Sequence, residues 1–179
     1  MTTRRDFLKT MTMASAGLAL GTGDLLGAPI SVSQRKAAAD KVKIAYVGIG
    51  NRGEQIIGDF ARTGMVEVVA LCDVDMGAPH TQKVMNMYPK AKRFRDFRQM
   101  FDKAGNDFDA VAIATPDHSH FPITMLALAS GKHVYVEKPL ARTFYEAELL
   151  MQAALKRPNL VTQVGNQGHS EANYFQFKA

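Results

Sequence analysis

Cysteine is almost absent: Cys72 is the single one in 179 residues, so no intrachain disulfide can form and no cysteine-based zinc site can be assembled. Long apolar runs are missing too, since no stretch reaches the roughly 18 to 20 residues needed to cross a bilayer, which argues against an integral membrane span. Internal repeats, low-complexity segments and runs of basic residues are also lacking. The formal charge of +5 arises largely at the N-terminus, where residues 1–39 hold five Lys/Arg against two Asp/Glu and leave 17 basic and 15 acidic residues elsewhere. A surface so nearly balanced gives no reason to expect a nucleic-acid partner. What remains is 46% hydrophobic and 22% charged, ordinary for a soluble globular domain with one core.

Residues 1–39 read as an address. Thr3-Arg4-Arg5-Asp6-Phe7-Leu8-Lys9 precedes a weakly apolar stretch, Met11 to Leu20, and then a tract of small residues. An amphipathic basic helix would share the arginine pair, but pair, Phe-Leu-Lys and apolar stretch together resemble a twin-arginine export leader. Ala28 is followed by Pro29, a poor peptidase site, so cleavage is expected after Ala37-Ala38-Ala39, just before Asp40. The mature protein is then expected to be periplasmic. A route that carries folded cargo suits a protein that must take up its cofactor before export.

From Asp40 on, strand and helix patterns alternate. Val42 to Val47 is short, β-branched and nearly all apolar, as a parallel strand buried on both faces requires. Helical spacing follows from Gly53 to Thr63 with Gly64 as a stop, then a strand from Val66 to Leu71. A helix around Thr81 to Met87, a short strand near Arg93, and a helix capped by Asp96 and ended by Gly105 come next. Ala110 to Ala114 and His133 to Val136 read as strands around an apolar helix, Phe121 to Ser130. Thr143 and Glu146 form a capping box for a helix through Leu155, before a last strand from Leu160 to Val164. Strands separated by crossover helices predict a doubly wound α/β domain with a parallel sheet over residues 40–166.

Gly48-Ile49-Gly50-Asn51-Arg52-Gly53 matches G-x-G-x-x-G in the context that gives the pattern meaning, a buried strand before and a helix after. Gly48 permits the tight turn, Gly50 lets the backbone approach a pyrophosphate, and Gly53 allows close packing, while the helix N-terminus supplies N–H donors. Asp73, at the end of the second strand, can accept both ribose hydroxyls of an adenosine and would repel a 2′-phosphate, which favours NAD over NADP; Asp75 competes for that contact. The ligand-free reading is a plain glycine turn with one aspartate serving only as a helix cap.

Two further turns leave strand ends where open α/β sheets bind ligands: Thr115-Pro116-Asp117-His118-Ser119-His120 and Glu137-Lys138-Pro139. With the glycine pattern, they resemble the Gfo/Idh/MocA family of glucose–fructose oxidoreductases and inositol dehydrogenases over about residues 42–166. That resemblance implies that Thr115, Pro116 and His120 line the nicotinamide ribose, that Glu137 and Asn166 contact the cofactor, and that Lys138 faces the substrate and helps move its proton. It also implies a Lys138–Pro139 peptide that is often cis. His118, His120 and Asp117 within one turn lack further ligands, so no metal is expected. His169 faces the substrate or is a plain loop histidine.

In the resembled family a second α/β domain follows, so residues 167–179, ending in Asn173-Tyr174-Phe175-Gln176-Phe177, are expected to begin it, with a homo-oligomeric full-length form. The function expected is hydride transfer between NAD and a ring hydroxyl of a sugar or cyclitol. Because nicotinamide is not replenished outside the cytoplasm, a redox-neutral NAD-dependent glycoside hydrolase resembling family 109 is the alternative. A non-catalytic, truncated NAD-binding module is the third reading.

Overall fold

The computed structural model describes residues 41–167. The leader, Asp40, His169 and the aromatic run 174–177 lie outside the described residues. Six strands, β1 (Val42–Val47), β2 (Val66–Cys72), β3 (Lys92–Phe94), β4 (Ala110–Ile113), β5 (His133–Glu137) and β6 (Thr162–Gly165), form one sheet in the order β3-β2-β1-β4-β5-β6. Every pairing is parallel. The order reverses between β1 and β4, so their carboxyl ends diverge and leave a crevice there.

Five helices make the crossovers: α1 (Arg52–Arg62), α2 (Pro79–Met87), α3 (Phe97–Ala104), α4 (His120–Ala129) and α5 (Phe144–Leu155). Strand alternation divides the core in two. Ile44 and Tyr46 point toward Ile56 and Ile57 of α1 and Val84 and Met85 of α2, whereas Ala45 and Val47 join Met100, Ile123, Leu128 and Leu150 on the face of α3, α4 and α5. Because both faces are covered, β1 reads in sequence as one apolar run rather than an alternation. Cys72 is buried at the end of β2, and desolvation, then the charges of Asp73 and Asp96, push its thiol up to about 12. It is therefore a packing residue and not a nucleophile.

Local chemistry sets the helix ends. The Asp96 carboxylate accepts the Arg98 N–H at 2.8 Å, and Gly64 and Gly131 sit at φ 69° and 70° just after helices. At α5, Thr143 Oγ1 accepts the Glu146 N–H at 3.2 Å and Glu146 Oε2 accepts the Thr143 N–H at 3.2 Å, a reciprocal capping box. Thr143→Ala removes half of it and should cost about 1 kcal/mol, read as a lower urea midpoint at unchanged slope. An unchanged midpoint would show that the cap is idle.

The expected parallel sheet and alternation of strands and helices hold, with three local differences. β6 begins two residues later than expected, because Leu160 and Val161 belong to the turn that closes α5, where the Leu160 N–H donates to Arg157 O. Short 3₁₀ turns at Gly105–Asp107 and Asp117–Ser119 were not expected. The second connects the Thr115-Pro116 turn directly to α4.

Candidate functional site

The Gly48–Gly53 turn closes over the crevice at the carboxyl end of β1. Its three glycines are held there by different neighbours. Gly48 has φ 80°, and a β-carbon on it would stand 2.5 Å from Ala114 O, so the exit of β4 requires glycine. A β-carbon on Gly53 would overlap the carbonyl of Gly48, so the turn itself requires glycine. Gly50 differs, because the three atoms nearest its added carbon all belong to the ring of His80. Asn51, which caps α1 without a side-chain bond, holds φ 48° and ψ −103°, a sparsely populated conformation that asparagine tolerates better than most residues.

The cleft around this turn holds about 810 Å³ and is lined by Gly48, Gly50, Asn51, Asp73, Thr115 and Pro116 among others. Asp73 Oδ2 accepts the Ile49 N–H at 3.0 Å and Oδ1 the Asp75 N–H at 2.9 Å. Its carboxylate thus ties the turn to the end of β2 and keeps lone pairs for ribose hydroxyls. Asp75 lines the same cleft.

A smaller pocket of about 320 Å³ adjoins it, lined by Arg52, Thr115, Asp117, Glu137, Lys138 and Gln167 together with Ala114 and His120. Lys138 is exposed, and its ammonium has no partner among the described residues. The Lys138–Pro139 peptide is cis, as the resemblance implies. Thr115 Oγ1 is buried with no hydrogen-bond partner. A cleft lined by Gly48 and Gly50, with N–H donors at a helix start, a carboxylate at the β2 end and an orphaned hydroxyl between, fits a dinucleotide.

Several residues expected at the ligand are placed otherwise. Ile49 is fully buried in the core beside Ile56 and Leu71, so it reaches the cleft only through its backbone. His120 is 1% exposed, with Nδ1 2.6 Å from Pro139 O and Nε2 2.8 Å from Thr115 O. Both nitrogens are committed to backbone carbonyls. The ring therefore joins the two site turns, and it borders the smaller pocket with both nitrogens already engaged. A neutral imidazole has one N–H for these two acceptors; the imidazolium donates to both.

Glu137 is likewise turned inward. Its Oε1 accepts from Arg52 Nε at 3.1 Å, Arg52 Nη2 at 2.9 Å and Tyr135 Oη at 3.2 Å. It holds Arg52, which borders both cavities. Burial opposes the Arg52 charge, but the hydrogen bond and charge of Glu137 outweigh it, so the guanidinium is held above its ordinary value. Tyr135 is also raised, by burial first and then by the neighbouring carboxylate. Asn166 is exposed outside the cleft lining, with its N–H donating to Val164 O at 3.0 Å. Its neighbour Gln167 lines the smaller pocket. In the orientation that satisfies both neighbours, its amide donates to Gly165 O at 3.1 Å and accepts from Arg52 Nη2 at 3.2 Å. Among the described residues no three His, Cys, Asp or Glu side chains gather as metal ligands, and no helix is long and apolar enough to cross a membrane.

Parallel topology, glycine turn and switch-point crevice define a Rossmann dinucleotide-binding domain. The family profile of the Gfo/Idh/MocA oxidoreductases, described as an NAD-binding Rossmann fold, matches residues 42–165, and the chain belongs to that family. It is 31% identical over 167 residues to a glycosyl hydrolase family 109 protein of Shewanella pealeana, covering 84% of this chain and 36% of the relative. It is 29% identical over 169 residues to an alpha-N-acetylgalactosaminidase of Shewanella oneidensis, with the same coverage. Scyllo-inositol dehydrogenase from Lactobacillus casei, solved with NAD(H) and scyllo-inositol, superposes with a TM-score of 0.67 at 28% identity over 78% of this chain and 40% of that one. The chain thus spans well under half the length of the relatives it matches.

Proposed function

We propose that this domain serves an enzyme that oxidises a CH–OH carbon of a sugar or cyclitol with NAD. The observation that carries the reading is the pocket lined by Lys138, whose ammonium has no partner among the described residues, at the end of β5 next to the cleft of the glycine turn. NAD, when bound, supplies the hydride acceptor. Lys138 is placed to donate a hydrogen bond to the substrate oxygen and to hold or release the proton that oxygen loses. Thr115 and the Asp117 turn border the same space. Asp73 selects the unphosphorylated ribose.

A redox-neutral glycoside hydrolase is the second reading, favoured by the names of the relatives from Shewanella. There, oxidation of a ring hydroxyl acidifies the neighbouring C–H, the aglycone leaves by elimination, water adds, and the hydride returns. This reading also accords with the Arg4-Arg5 leader, which we take to send the protein to the periplasm, where bound NAD must be restored within each turnover. We take the full-length form to be a homo-oligomer. The full-length protein should be assayed with inositols and with aryl glycosides of N-acetylgalactosamine. NADH appearing with the former supports the dehydrogenase; aglycone released without net NADH supports the hydrolase; neither product removes the enzymatic reading.

Asp73→Ala tests the cofactor preference. It should weaken NAD roughly tenfold and narrow the gap to NADP, since the carboxylate that repels a 2′-phosphate is gone. The NAD-to-NADP ratio of Kd values is the readout, because loosening of the Ile49 bond affects both cofactors alike. If the ratio holds, Asp75 is the selecting residue.

A further inference from the structure

His80 lies thirty residues from Gly50 in sequence, yet the three atoms nearest a β-carbon built on Gly50 all belong to its ring, with Nε2 at 3.0 Å. The ring fills the volume that a second-position glycine leaves free, which is the volume a dinucleotide's diphosphate uses. No hydrogen bond, ion pair or ring contact engages His80 among the described residues, and it is exposed on the lining of the large cleft. Its backbone is well anchored at the second residue of α2. Thr81 Oγ1 donates to Ala78 O at 2.9 Å and to Asp75 O at 3.1 Å, bracing the loop from Asp73 against the helix.

We propose that His80 is a cofactor-binding residue whose imidazole shifts off Gly50 and donates a hydrogen bond to a diphosphate oxygen. The inference rests on the dinucleotide reading of the cleft and adds a contact from α2 to those of the glycine turn. The ring cannot stay where it is once phosphate reaches the Gly50 backbone. It has no other partner among the described residues to return to, and the braced loop keeps it within reach of the anion. Its donor also matters for charge, because Asp73 and Asp75 face the same cleft and repel a diphosphate.

The test is calorimetric titration of the full chain and of His80→Ala and His80→Gln with NAD, ADP and adenosine. His80→Ala should weaken NAD and ADP roughly tenfold, leave adenosine and the melting temperature unchanged, and be largely rescued in His80→Gln, which keeps an N–H donor. NAD and ADP affinities that are unchanged or tighter in His80→Ala overturn the proposal, the tighter case making the ring a plug. A uniform loss that includes adenosine also overturns it, since the residue would then act on the shape of the cleft. Failure of the unmodified chain to bind NAD at all overturns the dinucleotide reading itself.

Discussion

Gly48→Ala is expected to unfold much of the domain, whereas Gly50→Val is expected to leave the fold intact and abolish NAD binding. Both substitutions fall in one six-residue turn, but they meet different obstacles. At Gly48 the new carbon meets Ala114 O at 2.5 Å and Thr115 N at 2.8 Å, backbone atoms of the adjoining central strand and its exit, and the residue must also hold φ 80°. The left-handed conformation costs a non-glycine residue about 1 to 2 kcal/mol, and overpacking adds about 1 to 3. The sum is a large part of the about 5 to 15 kcal/mol that holds a domain together. At Gly50 the obstacle is an exposed histidine side chain that can turn away. Valine there costs the fold little but fills the space in which diphosphate must lie. Urea midpoints and NAD titrations on both variants separate the two cases. A Gly50→Val protein that binds NAD normally would remove the glycine turn from the cofactor site, and a Gly48→Ala protein as stable as the parent would show that β1 and β4 can part at their ends.

The sequence revealed the sheet well because its information is local. Val42–Val47 is apolar on both faces, and Asp96, Gly64, Gly131 and the Thr143–Glu146 pair each mark an end by their own chemistry. β6 was harder to place, since its Thr162 and Gln163 are exposed and polar on the outermost strand. At the site, motif position indicated which turns converge but not which way each side chain points. His120, Glu137 and Asn166 all stand on the right turns, yet two are bound inward by partners that only folding supplies, and the third is exposed outside the pocket that Gln167 lines. His80 carried no signal of its own. It reaches Gly50 through α2 packing against the β1 layer, a contact between distant residues that no spacing rule encodes. A search for donors on the helix following the β2 aspartate would have been the only route to it.

Arg52→Met should destabilise the domain by about 3 kcal/mol, and adding Glu137→Gln should restore much of the loss. Glu137 keeps only 5% of its side chain exposed, and without Arg52 its carboxylate retains a single donor, Tyr135 Oη at 3.2 Å. A buried charge stripped of its partner typically costs about 3 to 5 kcal/mol. The lower end applies, because the Arg52 side chain is 33% exposed and water can replace part of it. Gln keeps the shape of Glu137 and removes the charge, so the double variant has no uncompensated ion. The cycle of single and double variants should show coupling of about 1 to 3 kcal/mol, and purely additive losses would sink the pair as a structural unit. NAD affinity should follow stability in part, because Arg52 opens α1 at the glycine turn while Glu137 ends β5 beside Lys138. The pair therefore ties the diphosphate side of the cleft to the lysine side. If the double variant regains stability but not NAD affinity, the guanidinium itself contributes to cofactor binding from its exposed edge.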